Sequence, residues 1–180
     1  QSRTEPSVLP VLIDDSLSMR IRDAGDPKDP VSRLSEVQNL LDSAHLSDLS
    51  KEHELHFYTF DTTAQPIDSP KNLQPIGQNT LVEKSVRSAM EDLQGQRLAG
   101  VVVLTDGRDT PAAPLADTLS AIKEFGVKVF PIPIGSDQPP RNIDVQSVSV
   151  QDSAVKGDIV NVKAMVRGTG YEPNHAVTLV

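Results

Sequence analysis

Apolar residues follow two different rhythms along this chain. Over residues 1–138, short apolar runs alternate with segments whose apolar residues recur every three or four positions. "VLPVLI", residues 8–13, is a continuous run and predicts a buried strand. Pro10 has no N–H, which places the paired part of the strand after it. In "DPKDPVSRLSEVQNLLDSAHL", Asp29 reads as a helix N-cap with Pro30 at the first helical position. Val31, Leu34, Val37, Leu41 and Ala44 then share one helical face. "ELHFYTF" is a strand, "DTT" a turn, and "AQPI" a short antiparallel edge strand. "NTLVEKSVRSAMEDLQG" is a second helix with Leu81, Val82, Val86, Ala89, Met90 and Leu93 inward and Gly95 near its end. "AGVVVLTDG" is another buried strand. "DTPAAPLADTLSAIKEFG" predicts a third helix, stopped by Gly126, and "VKVFPIPIG" a further strand. Such alternation predicts an α/β domain with a doubly wound, mainly parallel sheet.

The rhythm changes at "SDQPPRN", residues 136–142, a Pro-rich polar linker. Beyond it the helical period is gone. "DIVNVKAMV" alternates, with Val160, Val162, Ala164 and Val166 on one face, and "KGD" and "GTG" are turn signals. Residues 139–180 are therefore expected to be the first strands of an incomplete immunoglobulin-like antiparallel β-sandwich, with residues 1–138 as the α/β domain. About 40 residues do not close a sandwich alone, so an exposed edge is expected that pairs with another chain, a route to a dimer.

Composition narrows the function classes. Of 180 residues, 17 are Lys or Arg and 25 Asp or Glu, a formal charge of −8. No basic cluster is present, which argues against nucleic acid as a partner. There is no cysteine, which removes disulfides, thiolate-bound zinc and thiol catalysis. No run approaches the roughly 20 apolar residues of a membrane helix, and "QSRTEPS" is too polar for a signal peptide. The sequence reads as a piece of a longer protein, with any membrane attachment in the remainder.

Candidate chemistry gathers at the predicted carboxyl ends of strands, where open α/β sheets place their sites. "PVLIDDSLSM" carries Asp14, Asp15, Ser16 and Ser18; "GQNTL" carries Thr80; "LTDG" carries Asp106. Carboxylates and hydroxyls without histidine or thiol suit Mg2+ or Mn2+. Each piece alone has a plainer reading. Thr80 and Glu83 form a Thr-x-x-Glu capping box, Ser16 and Ser18 are ordinary loop serines, and "TDG" is a turn. The histidines, His45, His53, His56 and His175, show no metal-ligand spacing.

Taken together, Asp14-x-Ser16-x-Ser18, Thr80 and Asp106 in "TDG" resemble the metal-ion-dependent adhesion site of von Willebrand factor type A domains. The resemblance spans roughly residues 7–136 and includes the Met that follows the second serine. It implies a Rossmann-like fold in which Ser16, Ser18 and Thr80 offer hydroxyl oxygens to Mg2+ or Mn2+. Asp14 and Asp106 would bind the cation directly or through water. An open coordination position would take an Asp or Glu carboxylate of a protein partner. The function implied is recognition, not catalysis. A type A domain followed by an immunoglobulin-like segment is similar to bacterial membrane-anchored proteins, which implies the extracytoplasmic side of the cell envelope.

Two other readings use the same residues. "VLIDDS" also resembles the start of a response-regulator receiver domain, in which Asp14 and Asp15 would hold Mg2+ beside a phospho-accepting Asp61. That reading lacks a lysine at the end of "VFPIPIG" and leaves Ser18, Thr80 and "TDG" without a purpose. The other is a structural type A domain with no metal function. No Gly-x-Ser-x-Gly elbow supports a serine hydrolase.

Overall fold

The computed structural model of the protein describes residues 6–108, 126–136, 142–150, 153, 157 and 159–170. The third predicted helix and most of the Pro-rich linker lie outside these residues. The chain divides into two compact units, Gln1–Gly135 and Ser136–Val180.

In the first unit, β1 (Ser7–Asp14) leads through a 3-10 turn (Leu17–Arg20) into a hairpin of β2 (Arg22–Asp26) and β3 (Asp29–Ser32). Helices α1 (Arg33–Leu41) and α2 (Ala44–Glu52) follow, then β4 (His53–Phe60), β5 (Ala64–Ile67), α3 (Val82–Asp92), β6 (Val101–Thr105) and β7 (Val129–Pro133). Five strands form one sheet in the order β5-β4-β1-β6-β7. All its pairs are parallel except β4–β5, where the expected edge strand returns antiparallel. This is a mostly parallel α/β arrangement.

Alternate side chains of the central strands go to opposite faces, as the strand period requires. Val8 and Leu12 of β1 and Val101 and Val103 of β6 pack with Val86 and Ala89 of α3. Val11 and Ile13 of β1 and Leu104 of β6 pack with Leu34, Val37 and Leu41 of α1. Burial on both faces explains why these strands read as unbroken apolar runs.

Two local expectations are corrected. Pairing of β1 with β4 begins at Ser7↔His53, before Pro10, whereas pairing with β6 begins at Val11. Val8 sends its N–H to Arg97 O on the β6 side. Two residues later, Pro10 lacks its donor on that same side, so only the β6 ladder waits. Helix α1 starts at Arg33, not at Pro30. The Ser32 hydroxyl caps it by accepting the Ser35 N–H at 3.1 Å. Asp29, Pro30 and Val31 instead belong to β3, because "DPKD" makes a hairpin turn in which Asp26 Oδ1 accepts the Lys28 N–H at 2.9 Å.

The second unit contains an antiparallel pair, β8 (Asn142–Ser149) and β9 (Lys163–Thr169), with a register shift between Val145 and Ser147. Ala164 and Val166 lie in β9, while Val160 and Val162 precede it. No helix among the described residues is long and apolar enough to cross a membrane.

Candidate metal centre

Asp14 is the last residue of β1 and is completely buried. Its Oδ1 accepts the Ser16 N–H at 2.9 Å, and its Oδ2 accepts the Thr105 hydroxyl at 2.7 Å. Thr105 closes β6, so the ends of two neighbouring strands fix this carboxylate. Burial pushes the acid above its usual range, partly offset by hydrogen bonds from Ser16 and Thr105, and the charge of Asp106 adds to the rise.

Ser16 is buried and its Oγ lies 2.9 Å from Ser18 Oγ. Ser16 stands at the cap position of the 3-10 turn, yet its side chain makes no cap hydrogen bond. Its hydroxyl instead meets the Ser18 hydroxyl, which lies within that turn.

Asp15 lies against Gly77, next to Asp61. Its Oδ1 is buried without a hydrogen-bond partner among the described residues. Burial, then the charges of Asp61 and Asp14, push its acid up to about 6. Asp61 follows β4 at the hairpin into β5, and its Oδ1 accepts the Thr62 N–H.

The Asp106 side chain is 1% exposed. Its Oδ1 accepts the Arg108 N–H at 3.0 Å and its Oδ2 the Arg33 Nη1 at 2.5 Å. Arg33, at the start of α1, is itself 2% exposed. Its Nε and Nη2 fork onto the two oxygens of Asp23, at 2.8 and 2.6 Å, and Nη1 also approaches the Ser18 carbonyl at 3.5 Å. Burial works against the guanidinium charge, but Asp23 and Asp106 outweigh it and hold the group protonated.

Thr80 is buried, on the loop that enters α3. That loop is tied down on both sides of it. Gly77 exchanges hydrogen bonds with the β1 loop, Gly77 N–H to Asp15 O at 3.0 Å and Leu17 N–H to Gly77 O at 2.8 Å. Leu81 N–H bonds Asp61 O at 2.7 Å. The capping-box reading of Thr80 does not hold: α3 starts at Val82 with Leu81, not Thr80, at its cap position, and Glu83 pairs with Arg87.

The structure thus links Asp14, Ser16 and Ser18 directly, and brings Asp106 to them through Thr105 and Arg33. Thr80 sits on the loop bonded to the Asp15–Leu17 segment. Sequence reasoning missed Arg33, Asp23 and Thr105. Arg33 left one signal: it lies four residues before Val37, on the inward face of the helix, where a charge needs a buried partner. Asp23 left none. His53 Nδ1 lies 2.8 Å from Ser7 Oγ and His56 Nε2 lies 3.0 Å from Glu54 Oε1, well away from this cluster in sequence and both on β4.

Among the described residues, no group of three or more His, Cys, Asp or Glu side chains is placed to hold a metal. The donor chemistry fits a small hard dication: the buried side-chain carboxylates of Asp14 and Asp106, and a hydroxyl pair, Ser16 and Ser18, on the segment that follows Asp14. Asp23 and Asp106 share one buried guanidinium, while the charge of Asp106 acts on Asp14 and the charges of Asp61 and Asp14 act on Asp15. That leaves net negative charge for a cation to neutralise.

No family model matches the chain, and comparison with curated proteins finds no match. Among solved structures, the chain is similar to the crystal structure of a conserved hypothetical protein, BatB, from Bacteroides thetaiotaomicron. The two share 17% sequence identity at a TM-score of 0.51, over 91% of this chain and 80% of that one. At that identity the likeness is one of fold alone.

Proposed function

We propose that this chain is a von Willebrand factor A-like module that binds Mg2+ or Mn2+ through Asp14, Ser16, Ser18, Thr80 and Asp106. Its role is to hold an acidic group of a protein partner, not to catalyse a reaction. The observation that carries this reading is the hydroxyl pair of Ser16 and Ser18, 2.9 Å apart, directly after the buried Asp14 whose Oδ1 accepts the Ser16 N–H, at the carboxyl edge of a mostly parallel sheet. When bound, the cation supplies a positive centre for a carboxylate from outside. Ser16, Ser18 and Thr80 give neutral oxygens, which leave that charge largely intact, while Asp14 and Asp106 hold it in place.

The rim of the site suits a protein surface. Leu17 and Ile76 flank the Leu17–Gly77 hydrogen bond and are 46% and 70% exposed. They offer apolar contact around a central acidic residue, the arrangement of many interaction hot spots. A doubly wound type A fold is supported by helices packed on both sheet faces and by the fold likeness to BatB. The proposed location of the parent protein, the extracytoplasmic side of the envelope, is supported by the resemblance to bacterial membrane-anchored proteins.

The test is thermal melting with a chelator and with Mg2+ or Mn2+, on wild type and on the Ser16→Ala/Ser18→Ala double variant. These substitutions remove two oxygen donors and leave every charge in place. A cation at about 100 times its Kd stabilises the folded state by about 2.7 kcal/mol. Wild type should gain that stability and the double variant should lose the response. A wild type indifferent to both cations sinks the proposal. In a second arm, immobilised protein should retain Asp- and Glu-containing peptides with Mg2+ and release them with EDTA.

A further inference from the structure

The buried guanidinium of Arg33 sits in direct contact with one of the two carboxylates proposed to hold the cation. It is 2% exposed and forks onto Asp23, while its remaining nitrogen, Nη1, reaches Asp106 Oδ2 at 2.5 Å. It has little room to leave. Gly135, at φ +98°, packs so closely that a Cβ there would lie 2.6 Å from Arg33 Nε and 3.1 Å from Asp23 Oδ1. Gly135 N–H is in turn held by Glu36 Oε2 at 3.0 Å, one helical turn along α1. The guanidinium is therefore a fixed positive charge beside Asp106.

We infer that Arg33 is a built-in counter-charge for Asp106, a positioning residue that keeps the site shaped without metal and weakens its hold on a divalent cation. The inference rests on the cation reading above. Two cations competing for one carboxylate cannot both draw its full charge. With Arg33 in place, Asp106 Oδ2 is already engaged. The oxygen facing the Arg108 amide, Oδ1, is the one less committed to a charge. A site so arranged takes up a cation reversibly, because its fold does not depend on the metal. It also leaves that cation under-neutralised and so attractive to a partner's carboxylate.

The experiment compares wild type, Arg33→Met and Arg33→Lys by thermal melting in EDTA and in saturating Mg2+, with Mg2+ titration calorimetry on each. Arg33→Met should melt below wild type in EDTA, because Asp23 and Asp106 lose their buried partner. It should then gain more from Mg2+ than wild type does, with a Kd about tenfold tighter, as removal of a neighbouring positive charge requires. Should Arg33→Met fail to fold in EDTA, recovery of the folded signal by Mg2+ supports the inference, and no recovery overturns it. Arg33→Lys keeps the charge and should show the wild-type Mg2+ gain; behaviour like Arg33→Met would overturn the role of charge. An equal Mg2+ gain in Arg33→Met and wild type overturns this inference and leaves the cation site standing. A wild type without any Mg2+ response removes both.

Discussion

Strands β1 and β8 are each eight residues long, and each carries two valines and one isoleucine. In β1 seven of the eight residues are buried, with Val11 and Ile13 at 2% and 0% exposure. In β8 the corresponding residue types stay in solvent: Val145 is 56% and Val148 63% exposed. Neighbours make the difference. β1 lies between two parallel strands with a helix on each face, whereas β8 has β9 as its partner among the described residues. A two-stranded ribbon has no second layer of its own and is marginal in water. The position of β1 also creates the candidate site. A strand enclosed on both sides and both faces must deliver its first polar residues, Asp14 to Ser18, at its carboxyl end.

The largest blow to this contrast should come from Leu12→Ala. Leu12 is fully buried in the core shared with α3, and such truncations cost about 2–5 kcal/mol through lost burial and the cavity left behind. Urea unfolding followed by circular dichroism would measure it. A loss near zero would mean that β1 is not the centre of the core.

A middling effect should come from charge. Asp15 has its acid pushed up to about 6, from an ordinary 3.8, by burial and by Asp61 and Asp14. The folded state then binds a proton more tightly than the unfolded chain does. In a chelator, its contribution favours folding below pH 3.8 and is lost as pH rises through about 6. Asp15→Asn should flatten the melting temperature across that window and raise it slightly at neutral pH. An unchanged pH profile would show that this carboxylate is better solvated than its surroundings indicate.

The smallest effect should be at Met165→Ala in β9. Met165 is 65% exposed, and surface substitutions away from special features stay within about 0.5 kcal/mol. A much larger loss in the same urea experiment would mean that the ribbon is covered in solution, which would turn the contrast with β1 into a question about what covers it.

Much of the first unit was legible because its central strands are apolar without interruption and its helices are periodic. "VLPVLI", "VVVLT" and "SVRSAMEDL" each lie on the element their pattern indicates. "DPKDP" misled because the same residues serve a helix cap and a tight turn equally well. The choice was made by Ser32, whose hydroxyl caps α1 three residues after Asp29. The residues proposed for the cation were picked out by their resemblance to a known motif. Their supports were not. Thr105 reaches Asp14 from 91 positions away and Arg33 reaches Asp106 across 73, while Asp23 meets Arg33, ten residues on, only because the β2–β3 hairpin folds back. Such pairings are properties of the folded sheet and leave no local pattern.

Gly77 bears no oxygen in its side chain and would attract no notice in a search for ligands. A Cβ there would stand 2.5 Å from Asp61 Cβ and 2.9 Å from Asp15 Oδ1. Position 77 is thus the seam along which the β1 loop and the Thr80 loop close, and it closes only around a hydrogen atom. A mutational survey confined to the oxygen-bearing side chains would credit them with the whole site and overlook the residue whose smallness lets them meet.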